Sequence, residues 1–183
     1  GRMGGYGGSG IVVVRYLKSS NTAKATGGAI SFYNGKTVHV FTTSGTFTVS
    51  SGPVDCEFFI VAGGGGGGYD AAGGGGAGGV VHHPGLTVAN GPYTVTVGGG
   101  GAQGSSAQAP RGANGSPSAF GPITSTGGGA GGANQTSPSD EKDGAPGGSG
   151  GGAKSTTAGT GNTPPASPSQ GFPGGDDPTG GSH

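Results

Sequence analysis

Runs of consecutive glycine constrain this chain more than any other feature. They stand at 63–68, 73–79 (interrupted by Ala77), 98–101, 127–132 (interrupted by Ala130) and 147–152 (interrupted by Ser149). Such a run has no side chains to bury, and ordering it costs more backbone entropy than ordering any other residue type. Three structures are open to it. A flexible linker is one. Collagen is a second, but it needs glycine at every third position in a sustained repeat, which runs of four to six consecutive glycines do not supply. The third is a bundle of extended, polyproline-II-like segments lying side by side. Without Cβ atoms their backbones approach closely, and N–H and C=O groups pair between segments in place of a core. The runs are of similar length and alternate with loop-like sequence, which favours the bundle over the linker.

The rest of the composition fits a chain with little core. Leu, Ile, Val and Phe number 26 of 183 residues, and 23 of those 26 lie in 1–97, whereas ten of the 13 prolines lie beyond. Any apolar core is therefore expected from the first half. Eight basic and eight acidic side chains balance, so the chain lacks the self-repulsion of a disordered polyelectrolyte. It also lacks a basic stripe to track phosphates, which argues against nucleic acid as a partner. No apolar run approaches the roughly 18 residues a membrane-spanning helix needs. A single cysteine, Cys56, excludes an internal disulfide.

The first half reads as strands. Residues 11–16 are a short β-branched run. Segments 29–33 and 36–43 flank Asn34 and Gly35, a strong signal for a two-residue hairpin turn. In that hairpin Val38 and Val40 share one face, with His39 and Phe41 opposite. Residues 45–50 and 93–97 alternate apolar and polar. Segment 54–62 turns apolar toward its end and reads as a strand buried on both faces. A further strand is expected over 79–83, ended by Pro84. No stretch has a helical period. The expected class is all-β: a small antiparallel β-sandwich in the first half joined to a glycine-rich bundle of polyproline-II-like (polyglycine II) strands. The expected divisions are 1–26, 27–97 and 98–183.

Candidate chemistry is sparse. Residues 147–155, GGSGGGAKS, place Lys154 and Ser155 as in a phosphate loop. Ala153 stands where that loop needs glycine, and the sequence after it cannot start the helix the phosphate requires. His82 and His83 are adjacent, so on a strand they face opposite ways and cannot jointly chelate a metal. Asp140, Glu141 and Asp143, and then Asp176 and Asp177, have no calcium-loop spacing. Asp55 and Glu57 share a strand face, which fits a polar strand edge better than an acid pair. Tyr6, Tyr69, Tyr93 and Phe172 lie beside glycine segments, where packing over backbone is favoured over stacking on sugars. We expect no catalytic residues, no metal ligands and no cofactor.

The order of the elements carries a family resemblance. GGSGIVVVRY (7–16), ATGG (25–28), VHVFTTSGTFTV (38–49) and FFIVAGGGGGG (58–68) together resemble the glycine-rich domain of bacteriophage tail-fibre and other virion-associated proteins. GPYTVTVGGGG (91–101) and SAFGPITSTGGGAGG (118–132) are similar to that family's next landmarks. The resemblance covers the chain to about residue 132. It implies a structural and adhesive role on a virion appendage or another extracellular structure, with glycine segments packed rigidly and loops displayed at one end to a host cell-surface protein or glycan. The loops so implied are 69–72, 103–117, 134–146 and 155–171, with Tyr69, Asp70, Arg111, Asn114, Asn134 and Gln135 as contact residues. The resemblance also implies that a strand like 11–16 closes a unit rather than opening one. Ile11, Val12, Val13, Val14 and Tyr16 are then expected to complete a neighbouring unit. That neighbour is either the next part of a tandem array or another copy of the chain, so the expected self-partners are those of a homo-oligomer or the neighbours in a head-to-tail filament.

Overall fold

The computed structural model describes residues 2–18, 22–105, 111–134, 142–154 and 157–177. Among them the chain forms β-strands and no helix. The strands are β1 (Ile11–Leu17), β2 (Ala25–Thr26), β3 (Ala29–Tyr33), β4 (Lys36–Phe41), β5 (Gly45–Val49), β6 (Val54–Val61), β7 (Val80–Val88), β8 (Gly91–Thr96), β9 (Ser118–Phe120) and β10 (Ile123–Ser125). They make two five-stranded antiparallel sheets, ordered β3-β4-β1-β6-β7 and β10-β9-β8-β5-β2. Asn34 and Gly35 take the expected turn, both with positive φ (45° and 72°), and set Tyr33 opposite Lys36.

Alternation decides what each strand buries. Val12, Val14 and Tyr16 of β1, His39 and Phe41 of β4, and Cys56, Phe58 and Ile60 of β6 face inward. Phe47 and Val49 of β5, Val95 of β8 and Phe120 of β9 meet them from the other sheet. Phe120 lies 4.5 Å from Phe58, 5.6 Å from Phe47 and 5.6 Å from Tyr93, centroid to centroid, within the range where aromatic pairs attract. Burial pushes the Cys56 thiol up to about 12, so this cysteine packs as a small apolar group.

Several expectations change here. The core is not confined to the first half, because β9 and β10 complete the second sheet and Phe120 fills its centre. β1 is neither a detached opening segment nor an open edge. It pairs with β4 on one side and β6 on the other, which also crosses the expected boundary at residue 26. β6 is buried on one face only, with Phe59 44% exposed. β7 runs through Pro84, which an edge strand tolerates because one row of its N–H groups has no partner strand to serve.

Beyond the sheets the strands run on into glycine segments: 2–10 leads into β1, β6 continues into 62–68, and 73–79 leads into β7. Segments 97–104, 111–117 and 126–133 continue β8, β9 and β10 in the same way. Hydrogen bonds among them return to the same neighbour at every third residue. Gly63 and Gly66 donate to Ser116 and Ala113, Gly64 and Gly67 to Gly8 and Gly5, and Gly65 and Gly68 to Gly76 and Gly73. Gly101 and Gly104 in turn donate to Gly64 and Gly67, and Gly128 and Gly131 to Gly63 and Gly66. Segment 63–68 is thus bonded to five others, and every one of its N–H groups is used. None of these glycines has a positive φ; they are needed because a Cβ at Gly63, Gly65, Gly66 or Gly68 would fall onto a neighbouring carbonyl.

Candidate functional site

The glycine segments gather the loop ends of the chain at the end remote from the sheets. Gly73 donates to Gly132, Gly132 to Gly152 and Gly152 to Gly74, so the ends of three segments lie level. At that level Asp70 N–H donates to the Arg2 carbonyl at 2.8 Å, Asn134 N–H reaches the Tyr69 carbonyl at 3.5 Å, and Gln103 meets the Met3 sulfur at 3.4 Å. The turn after Gly68 holds two consecutive non-glycine residues in the left-handed region, Asp70 (φ 63°) and Ala71 (φ 49°). Aspartate accepts that conformation readily, whereas alanine has no side-chain bond to repay it. A second cluster closes the same end. Lys154 is nearly buried and lies 3.6 Å from Asp177. Its N–H donates to Lys142 O, while Asp143 and Asp176 accept from the N–H groups of Thr157 and Ala158. These acids are used as local caps, and among the described residues no group of three or more metal-ligating side chains forms.

The expected contact residues separate in this geometry. Tyr69, Asp70 and Asn134 come together at the remote end. Gln135 lies outside the described residues. Arg111 begins the segment 111–117, and Asn114 sits within it, its carboxamide oxygen accepting from Ala130 N–H at 2.8 Å. Asn114 is thereby committed to holding two segments together rather than facing outward. The expected loop 155–171 is divided: Thr157 is near the remote end, whereas 161–171 folds back against the sheets. There Asn162 Oδ1 accepts from Ala166 and Gln170, and Gln170 accepts from Thr126 N–H and donates to Thr124 O. The Gln170 carbonyl also accepts from Val80 N–H, which makes this residue a clamp between the last segment and both sheets. Ile11, Val12, Val13, Val14 and Tyr16 lie in β1; all five pair with β6, and all but Ile11 also pair with β4. Segments 2–10 and 111–117, which contain no long glycine run, share this hydrogen bonding. Their signal is glycine at every third position (Gly4, Gly7, Gly10; Gly112, Gly115), and no run is needed.

The outer face of the first sheet carries a shallow depression of about 370 Å³ lined by Val13, Arg15, Glu57, Phe58, Phe59 and His82. Its charges are already matched. Glu57 accepts from Lys36 and Arg15, and those bonds hold its carboxyl below the usual range. Asp55 accepts from Thr87. His83 turns inward onto Phe58, away from His82.

The buried polar pair lies on the inner face. The Gly27 carbonyl can only accept, so His39 Nδ1 donates to it at 2.7 Å; the neutral ring's Nε2 is then the acceptor of the Tyr16 Oη–H, and Tyr16 Oη in turn accepts from Ala25 N–H. Burial depresses the His39 pKa below the ordinary value, partly offset by the Gly27 bond. The folded chain thus holds His39 neutral while the unfolded chain protonates it below about 6.5. Stability from this residue is complete above that pH and is lost as the pH falls toward the depressed folded value. Thermal midpoints should drop as the pH falls below about 6.5, and His39→Asn should flatten that dependence. An equally steep drop in the variant would assign the effect elsewhere.

Residues 42–183 match the family model described as Glycine-rich domain. The chain belongs to this family. No curated protein and no solved structure matches it. The matched region of this glycine-rich domain begins just after β4, so it takes in the second sheet except β2, together with β6 and β7. Strands β1, β3 and β4 precede it, and they supply three of the five strands of the first sheet.

Proposed function

We propose that this glycine-rich domain is a non-enzymatic display module, a structural and adhesive part of a virion appendage of the tail-fibre kind. Its sandwich anchors a polyglycine II bundle, and the remote end of that bundle meets a host cell-surface protein or glycan. The observation that carries this reading is the return of main-chain hydrogen bonds to the same neighbour at every third residue. A polyproline-II-type helix has three residues per turn, and side-by-side packing of such helices satisfies the backbone without a core. A rod built this way fixes the ends of several loops relative to one another, and loops on a rigid support are where recognition concentrates. Backbone strain at Asp70 and Ala71 and the grouping of Tyr69, Asp70 and Asn134 support a recognition role for that end. The virion setting rests on the resemblance in element order. A filament joined through exchange of β1 finds less support, since β1 is the central strand of its own sheet.

The test is binding of the labelled full chain to a panel of bacterial cells. We expect binding that Tyr69→Ser with Asp70→Gly abolishes and that Phe59→Ala on the outer sheet face leaves intact. Absence of surface binding throughout the panel, or equal loss in both variants, would overturn the display reading. Amide exchange on 63–68 and 127–132 tests the bundle separately: exchange at the rate of an unstructured chain would exclude it.

A further inference from the structure

The two sheets have four edges, and three of them are blunted. β2 has two residues and β10 has three. β7 carries Pro84 and Gly85, shows a register shift against β6 between Cys56 and Phe58, and has its first N–H taken by the Gln170 carbonyl. These are the ordinary means by which proteins stop sheets from pairing edge to edge. β3 has none of them. It is five residues long, Ala-Ile-Ser-Phe-Tyr, without a charge, a proline or a bulge, and all five residues are exposed.

The hairpin fixes which groups that edge offers. A two-residue turn makes Tyr33 and Lys36 a hydrogen-bonded pair, and the pattern alternates from there. Ser31 with Val38 and Ala29 with Val40 are therefore bonded pairs, whereas Ile30 and Phe32 turn their N–H and C=O groups away from β4. Both side chains are on the same face, 42% and 49% exposed. Lys18 lies over the Phe32 ring, 5.2 Å from its centroid.

We propose that β3 is a self-association edge, occupied by β3 of a second copy in antiparallel orientation about a twofold axis through Ser31. The strand is self-complementary in that register. Ile30 falls opposite Phe32 of the other copy, and Phe32 opposite its Ile30, so the outward-facing groups of each exchange about four main-chain hydrogen bonds. The same register sets each exposed Ile30 against an exposed Phe32, an aromatic–aliphatic cross-strand pair. Ser31 meets Ser31, and no like charges from β3 are brought together. The contact is isologous and closes at two copies, joining the two first sheets into one continuous sheet.

Sedimentation equilibrium on the full chain at tens of micromolar tests this. The wild-type chain should have twice the chain mass. Phe32→Pro removes an outward N–H without touching a bond to β4, and it should give the monomer mass with an unchanged circular dichroism spectrum. Should that variant fail to fold, Ile30→Lys decides, because it sets a charge opposite the partner's ring and should likewise give monomer. Leu86→Lys on β7 should remain dimeric. A wild-type chain that is monomeric at every concentration, or a dimer that survives Ile30→Lys, would overturn the proposal. So would a dimer that dissociates with Leu86→Lys instead.

Discussion

Gly65→Ala should cost the glycine-rich domain several kcal/mol of stability, whereas Gly74→Ala should leave it unchanged or slightly more stable. Both residues lie in hydrogen-bonded glycine segments, and neither has a positive φ, so alanine is acceptable to the backbone at each. Space separates them. A Cβ on Gly65 would overlap the Gly129 carbonyl, with Gly128 behind it, while a Cβ on Gly74 meets nothing within 4 Å. Overlap with backbone cannot be relieved by a rotamer change, so segments 63–68 and 126–133 must part, and the bonds of Gly128 with Gly63 and of Gly131 with Gly66 go with them. Losing two buried main-chain bonds and the close packing around them puts the cost at about 3–5 kcal/mol. At Gly74 the only change is lower unfolded-state entropy, a gain of about 0.4–1 kcal/mol. The sequence already makes this distinction: Ala77 stands three residues after Gly74, and Ala102 three after Gly99, where a Cβ also meets nothing. Urea unfolding of the two variants checks the contrast. Equal destabilisation would mean that chain stiffness, rather than clearance, governs the bundle.

That spacing is what a reading by runs overlooks. Consecutive glycines mark segments with several bonded neighbours, and 63–68, with five, is the extreme case. Segments at the margin need glycine only on the inward position of each turn, so RMGGYGGSG at 2–10 was legible only as a prelude to β1. Strands with clean alternation were legible as to which residues share a face, Val38 with Val40 and His39 with Phe41, but alternation alone does not say that the second pair turns inward. The failures have physical causes. β6 carries Phe58, Phe59 and Ile60 in succession and reads as buried on both faces, yet among the described residues its outer face is only partly covered, with Phe59 exposed. β9 and β10 have three residues each, too few for a period to show. At the remote end, composition identified loops but could not say which end of the bundle each occupied. Folding 161–171 back depends on Asn162 and Gln170, single side chains in a stretch that otherwise reads as featureless.

Phe120→Ala should be the most damaging single change outside the glycine segments, at about 3–5 kcal/mol. Its place in the sequence hides this, since it is one of three large apolar residues after position 97. Its place in the fold explains it. β9 pairs with β8 and β10, and Phe120 sits between Phe47 and Tyr93 of its own sheet and Phe58 of the other. Truncation removes the ring that closes the sandwich and leaves a cavity bordered by three aromatics, which strands held by continuous ladders cannot collapse to fill. A second consequence follows from connectivity. Segments 111–117 and 126–133 flank β9 and β10, so their registers are set by how this short hairpin seats. Loosening it should release both. Hydrogen exchange of the Gly128 and Gly131 amides, which donate to Gly63 and Gly66, should therefore accelerate in Phe120→Ala more than exchange at Val14, whose β1 amide lies between β4 and β6 in the other sheet. If those glycine amides stayed as protected as Val14, the bundle would hold its register without the sandwich, and the two halves would be energetically separate.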